Sequence, residues 1–244
     1  MSANEGHALV LSIRPFAEGG ALVSLFCRER GFVKGLIKRG ARSLRLVPMD
    51  EVSYKHYRRL ESQLGTLAVE PVFSRAAWAL GSRKAGAVGS YLAEMLGNLL
   101  PEEHGYPTIW QDVQALLAGD GGWRTLARFE LNFLAAVGYG LPLGDDAVPC
   151  EVNAPLAYVS PVTGRAVSAV AGAPYVGRLL VLPQLWGGPE ADNAADCRAA
   201  LGLTGFFMQR MAGDRKLAAR RALADHLMNE CLQAVPAPAR AVGE

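Results

Sequence analysis

The sequence predicts an α+β protein, in which a five-stranded OB-fold barrel is followed by a mainly α-helical domain with a loop-rich insertion. Two observations predict this fold class. The first 72 residues contain five short segments rich in β-branched, aromatic and alternating apolar residues. After Pro71 the apolar residues recur at spacings of three and four, as they do in amphipathic helices. We therefore expect a barrel domain at residues 1–80 and a helical domain at residues 81–244.

The five strands are predicted at residues 8–13, 21–29, 31–39, 51–59 and 65–72. The segment "RPFAEGG" supplies a turn between the first two strands, and Gly31 supplies a tight hairpin between the second and third. Gly35 lies inside a strand, which is typical of a bulge or a sharp bend. Five short strands in so few residues suit a small closed barrel such as an OB-fold, with an SH3-like barrel as the alternative.

The helical domain begins with an apolar face formed by Val88, Leu92, Met95, Leu96 and Leu99, and "PEEHG" ends that helix. Further helices are predicted at "TIWQDVQALLAG", at "GWRTLARFELNFLAAVGYG", from about Asp192 to Met211 and from about Asp214 to Leu232. Residues 139–190 are loop-rich, with a weak strand pair around "LAYVSPVTGRAVS".

Bulk properties predict a cytoplasmic protein. The start "MSANEGHALVLS" does not have the pattern of a signal peptide, and no apolar run approaches the roughly 20 residues that span a bilayer. The four cysteines (Cys27, Cys150, Cys197, Cys231) are far apart, with no C-x-x-C pair, so we expect buried or idle thiols rather than a metal site.

The net charge of +2 conceals an uneven distribution. Residues 1–80 carry 12 Lys and Arg against 7 Asp and Glu, and the stretch "GFVKGLIKRGARSLR" concentrates these cations. Such a patch favours a polyanionic partner. In OB-folds the faces of strands two and three and the flanking loops bind single strands, with cations on phosphates and aromatic rings on bases. The predicted DNA-binding residues are Lys34, Lys38, Arg39, Arg42, Arg45, Lys55, Arg58 and Arg59, with Phe32, Tyr54 and Tyr57 as candidates for base stacking or for core filling.

Sequence signals for catalysis are weak. The chain has no P-loop, no G-x-G-x-x-G after a strand, no G-x-S-x-G elbow and no H-E-x-x-H pair. "PEEH" at 101–104 is expected to be a solvated helix end, and Asp145 with Asp146 is expected to be a turn rather than a metal site. No catalytic residue, cofactor or metal is therefore predicted, although a hydrolase with dispersed catalytic residues stays an alternative.

Five segments in order resemble the bacterial RecO recombination-mediator family: "ALVLSIRPFAEGGALVSLFCRERGFVKGLIKRGARS", "LGTLAVEPVFSRAA", "RFELNFLAAVGYGLPL", "LAYVSPVTGRAVS" and "LTGFFMQRMA". The resemblance implies an N-terminal OB-fold, a helical domain and a nucleoid-associated role in recombinational repair of damaged DNA. It also implies binding and annealing of single- and double-stranded DNA. Together with RecR, such a protein helps load the recombinase onto DNA coated by single-strand-binding protein, whose acidic C-terminal tail it recognises.

Two expectations follow from the resemblance. Some family members carry a four-cysteine zinc site in the loop-rich region, but this chain has only Cys150 there, so zinc is expected to be missing. Arg124 and Arg128 lie four residues apart on a helix near Trp123 and Leu131, which suits an acidic, apolar-ended peptide. The alternative is that Arg128 pairs with a carboxylate such as Glu130 or with a neighbouring loop. A protein-interaction adaptor with a structural barrel is the alternative to DNA binding.

Overall fold

The computed structural model describes residues 2–16, 20–38, 46–58, 64–119, 122–143 and 154–233. The chain forms two compact units. The first comprises Met1–Gly121 and Lys216–Leu223, and the second comprises Gly122–Arg215 and Ala224–Glu244. The assignment of separate functions to residues 1–80 and 81–244 stays a prediction. The elements of the first unit are β1 (Ser2–Phe16), β2 (Gly20–Cys27), β3 (Gly31–Ile37), β4 (Glu51–Arg58), β5 (Gly65–Phe73), α1 (Ala76–Gly81), α2 (Arg83–Leu99) and α3 (Pro107–Ala118).

The five strands close into a barrel in the order β1-β2-β3-β5-β4, which confirms the predicted OB-fold architecture. Closure depends on a short parallel pairing of β3 with β5, in which Gly35 faces Gly65. A Cβ atom on Gly35 would lie 2.6 Å from Cγ of Leu67, so the two strands can approach only because this position has no side chain. The β2–β3 register continues through Gly35, and the register shifts of the barrel instead lie in β1, between Val10 and Ser12, and in β4, between Glu51 and Val52.

The strand directions define two ends of the barrel. The loop end holds the last residue of β1, the first of β2 and the last of β3, since Phe16 pairs with Gly20 and Ala21 with Ile37. The hairpin end holds the β2–β3 turn, where Cys27 pairs with Gly31, together with the last residues of β4 and the first of β5. The basic loop that follows β3 therefore leaves from the loop end, whereas Arg58 lies at the hairpin end.

The central part of β1 (8–11), the second half of β2 (23–27) and the first half of β3 (31–33) are buried on both faces. The barrel interior is filled by an apolar cluster that includes Val10, Leu25, Val33 and Leu67. Side chains of the opposite face are also buried, because α2 and α3 lie against them: the ring of Phe26 is 5.6 Å from that of Trp110. Strands with two buried faces are typical of sheets covered by helices. The outer face of β2 is therefore covered by protein.

The second unit contains α4 (Trp123–Ala136), a three-stranded sheet in the order β7-β6-β8, α5 (Ala169–Gly172) and α6 (Asn193–Ala212). The predicted strand pair is confirmed as β6 (Leu156–Val159) with β7 (Ala166–Ser168), and β8 (Leu180–Val181) adds an edge that the sequence did not predict. Helix α6 begins at an Asp192 N-cap, whose side chain accepts the Ala195 N–H. Helix α7 (Ala218–Gln233) follows.

Among the described residues, no helix combines the length and the apolar character that a membrane crossing needs.

Candidate nucleic-acid interface

The structure does not gather the predicted DNA-binding cations at one place. Lys38 lies at the loop end, Lys34 and Arg58 point toward the hairpin end, and Lys55 lies on the outer face of β4. Arg39, Arg42, Arg45 and Arg59 lie outside the described residues. The predicted site therefore divides into three places with different surroundings.

The first place is the loop end, where both stems of the basic loop are fixed. Ile37 before the loop and Leu46 after it pack against the barrel core. The buried carboxylate of Asp50 accepts the backbone N–H of Val47 at 2.9 Å and that of Arg75 at 2.7 Å, which joins the end of the loop to the start of α1. Lys38 is exposed. The barrel thus anchors both ends of a segment whose sequence carries Lys38, Arg39, Arg42 and Arg45.

The second place is the hairpin end, where a segment that we call the strap (residues 101–106) lies against the barrel. Glu102 forms a β-bridge with Phe32, and the N–H of Glu103 donates to the Phe32 carbonyl at 2.9 Å. Lys34 binds Glu102 at 2.9 Å, and Glu103 lies between Arg30 at 2.7 Å and Arg58. The residues of "PEEH" are exposed and follow the end of α2, as expected, but the sequence did not predict that three cations of the barrel hold the two carboxylates.

The third place is the outer face of β4. Lys55 lies 3.2 Å from Glu5, and the carboxylate of Glu5 raises the pKa of Lys55. Glu70 lines the same shallow groove. With two carboxylates around one ammonium group, this face does not have the charge that attracts a polyanion.

The candidate stacking rings are mostly in the core. Phe32 is 3% exposed and Tyr54 is 2% exposed, so neither presents a ring face to solvent. Tyr57 is 39% exposed and remains available. The sequence analysis did not select Phe16, which is 50% exposed at the loop end. Phe16 follows Arg14 and Pro15 in a segment that was interpreted as a turn.

Burial also perturbs three titratable groups of the barrel. It raises the pKa of the Cys27 thiol to about 12 and raises the pKa of the neighbouring Tyr54. Burial, together with the positive charges of Arg58 and Arg30, lowers the pKa of His56 to about 4. Neither ring nitrogen of His56 has a hydrogen-bond partner among the described residues. These three groups are neutral near pH 7.

The predicted peptide-binding arginines are both exposed on α4, but their surroundings differ. Arg124 stacks 4.5 Å from the Trp123 ring and reaches toward α6, 3.4 Å from the Asn193 amide oxygen and 4.0 Å from the buried carboxylate of Asp196. Arg128 does not pair with Glu130, because Glu130 is fully buried and accepts a hydrogen bond from Thr204. The alternative pairing of Arg128 with Glu130 is therefore wrong.

Within the described ranges, no group of three His, Cys, Asp or Glu side chains could hold a metal ion. Asp145, Asp146 and Cys150 lie outside those ranges. Cys27, Cys197 and Cys231 are buried free thiols.

Comparison with known proteins gives one consistent result. Residues 1–75 match the family model "Recombination protein O N terminal", and residues 81–221 match "Recombination protein O C terminal". The chain belongs to the RecO family. Among curated members of the family, "DNA repair protein RecO" of Paracoccus denitrificans is 38% identical over 211 residues, which cover 84% of this chain and 85% of that protein. The same-named protein of Rhizobium etli is 36% identical over 217 residues, covering 84% and 83%. That of Rhodospirillum centenum is 38% identical over 211 residues, covering 83% and 84%.

Because the curated RecO relatives are named DNA repair proteins, the chain belongs to a DNA repair family. The boundary between the two RecO family models falls at residues 75–81, between β5 and α2.

Proposed function

We propose that this chain is a non-enzymatic DNA-binding protein of recombinational repair that anneals complementary strands. It would also help load the recombinase onto single-stranded DNA coated by single-strand-binding protein, together with RecR. RecO family membership supports the repair role. The observation that carries the DNA-binding part is the loop end. Anchored stems flank the segment with four cations there, and an exposed ring, Phe16 of β1, lies at the same end of the barrel.

The loop end suits this role better than the other two places. The cations of the hairpin end are occupied by Glu102 and Glu103, and Lys55 lies between two carboxylates. Cations that a barrel carries near an exposed ring can follow a phosphate backbone without sequence preference, and exposed rings accept bases of any kind.

A salt titration tests the proposal. Because each cation that neutralises a phosphate on a single strand contributes about −0.7 to the slope of log K against log salt, four cations give a slope near −3. Replacing Lys38, Arg39, Arg42 and Arg45 together with glutamine should flatten the slope by about 3 and weaken binding to any sequence. The matched control replaces four exposed arginines elsewhere in the chain: Arg165, Arg178, Arg198 and Arg221.

The adaptor alternative has one observation in its favour, namely that helices cover the outer face of β2. Strand annealing, measured with complementary fluorescent oligonucleotides without ATP or magnesium, separates the two hypotheses. We expect the wild type to accelerate annealing, the loop variant to lose most of that effect and the control to keep it. Equal behaviour of the loop variant and the control would refute the loop-end assignment, and an inactive wild type would favour the adaptor.

A further inference from the structure

The strap is attached to the barrel as if it were an additional strand. Before Gly35, the edge of β3 that faces away from β2 is not paired with β5, and Glu102 fills this gap through its bridge with Phe32. Gly31 makes room for the strap, because a Cβ atom there would overlap the carbonyl oxygen of His104. Backbone pairing therefore fixes where the strap side chains can reach.

The backbone position of the strap places the carboxylates of Glu102 and Glu103 within ion-pair distance of three cations. Glu103 contacts both Arg30 and Arg58, and Glu102 contacts Lys34. The ammonium group of Lys34 also lies 4.7 Å from the Phe32 ring centre. Arg58 is only 12% exposed at its side chain, and the uncharged ring of His56 lies beside it. Two guanidinium groups around one oxyanion form the arrangement that proteins use to hold phosphates.

The strap adopts a conformation that is unfavourable for its own sequence. Glu103 has φ = 60°, a left-handed conformation that residues other than glycine rarely adopt. Backbone strain of this kind persists only where surrounding contacts hold it, and here the ion pairs with Arg30 and Arg58 supply those contacts. The strap is therefore held by these ion pairs as well as by its backbone pairing with β3, and another anion can compete for the cations.

We propose that the hairpin end is a second DNA-binding site, for the phosphodiester backbone of a single strand, and that Glu102 and Glu103 occupy it until a strand displaces them. This inference rests on the proposed DNA-binding function and deepens it. Arg30, Arg58 and Lys34 are the cations that would take the phosphates. Strap release adds these cations to those of the loop end, so strand binding would proceed in two steps with different salt dependence.

Neutralising the strap in the full-length protein tests the proposal. Glu102→Gln with Glu103→Gln keeps the side-chain shapes and removes both negative charges that compete with phosphate. Binding of a fluorescent oligodeoxythymidine should become about ten-fold tighter, and the slope of log K against log salt should become steeper by about 2 as three more cations engage. The matched control is Glu5→Gln with Glu70→Gln, which makes the same change in net charge on the outer face of the barrel.

The outcomes separate this inference from the proposed function. If the wild type binds the oligonucleotide but the strap variant behaves like the control, the strap is structural only and the second site is refuted while the loop-end proposal stands. If the wild type does not bind at any salt concentration, both fail. A steeper slope in the strap variant alone supports the second site.

Hydrogen exchange provides a measurement that needs no variant, in case the double substitution impairs folding. The N–H of Glu103 donates to the Phe32 carbonyl, so its exchange reports whether the strap is in place. We expect saturating oligodeoxythymidine to accelerate exchange at Glu103 in the wild type. Unchanged or slower exchange at this amide would overturn the displacement mechanism.

Discussion

Replacing Gly31 by alanine is expected to destabilise the barrel through two additive effects. Gly31 has φ = 63°, and a left-handed conformation costs a residue with a Cβ atom about 1 to 2 kcal/mol. The new Cβ atom would also overlap the carbonyl oxygen of His104, so the strap backbone would have to move. Overpacking of this kind costs about 1 to 3 kcal/mol. We therefore expect the free energy of unfolding to fall by about 2 to 5 kcal/mol.

Gly187 provides the matched control for this prediction. It also has a left-handed backbone, with φ = 92° and ψ = 11°, but a Cβ atom added there would have no neighbouring atom within 4 Å. Gly187→Ala should therefore cost only the backbone part, about 1 to 2 kcal/mol. Urea denaturation followed by circular dichroism gives both values. If Gly31→Ala is no more destabilising than Gly187→Ala, the strap does not lie where the structure places it.

Two further predictions concern the barrel interior and α4. Burial and the charges of Arg58 and Arg30 outweigh Glu103 and lower the pKa of His56 to about 4. Between pH 6.5 and 4 the unfolded chain therefore binds a proton that the folded chain does not, so the free energy of unfolding decreases by up to about 3 kcal/mol as the pH is lowered through this range. His56→Leu should remove this part of the pH dependence in urea titrations, and identical profiles for the two proteins would contradict it. Arg128→Glu should weaken binding of the acidic tail peptide of single-strand-binding protein about ten-fold, or 1.4 kcal/mol, in fluorescence anisotropy, whereas Arg198→Glu should not. An unaffected Arg128→Glu variant would place the peptide site elsewhere, and Arg124 is a poor probe because the buried carboxylate of Asp196 lies 4.0 Å from it.

The sequence predicted the barrel because its strands carry a strong local signal. The segments "VSLFC" in β2 and "GFV" in β3 contain Ser24 as their one polar residue, and the structure buries both faces of these segments. That apolar character was the signal that the outer face is covered and that Phe32 belongs to the core. By contrast, the first six residues of β1 were not predicted, because "SANEGH" is polar and forms a strand only through its pairing with β4.

The candidate site was less predictable because its charges are paired across long sequence separations. Nothing local to Arg58 indicates that Glu103 neutralises it, since 45 residues separate the two. The same applies to Lys34 and Glu102, and Arg30 was not considered at all. Charge counting located the basic region in the sequence but could not distinguish a cation that faces solvent from one that is paired with a carboxylate.

The bridge between Phe32 and Glu102 also decides how this protein can be divided for experiments. A fragment that ends at residue 80 would contain every barrel strand but not the strap, and the first half of β3 would then present unpaired backbone groups to solvent. An exposed strand edge of this kind pairs with other chains and promotes aggregation. Loss of α2 and α3 would uncover the apolar outer face of β2 as well. A soluble barrel fragment therefore has to extend at least to the end of α3 at Ala118, well beyond the last strand.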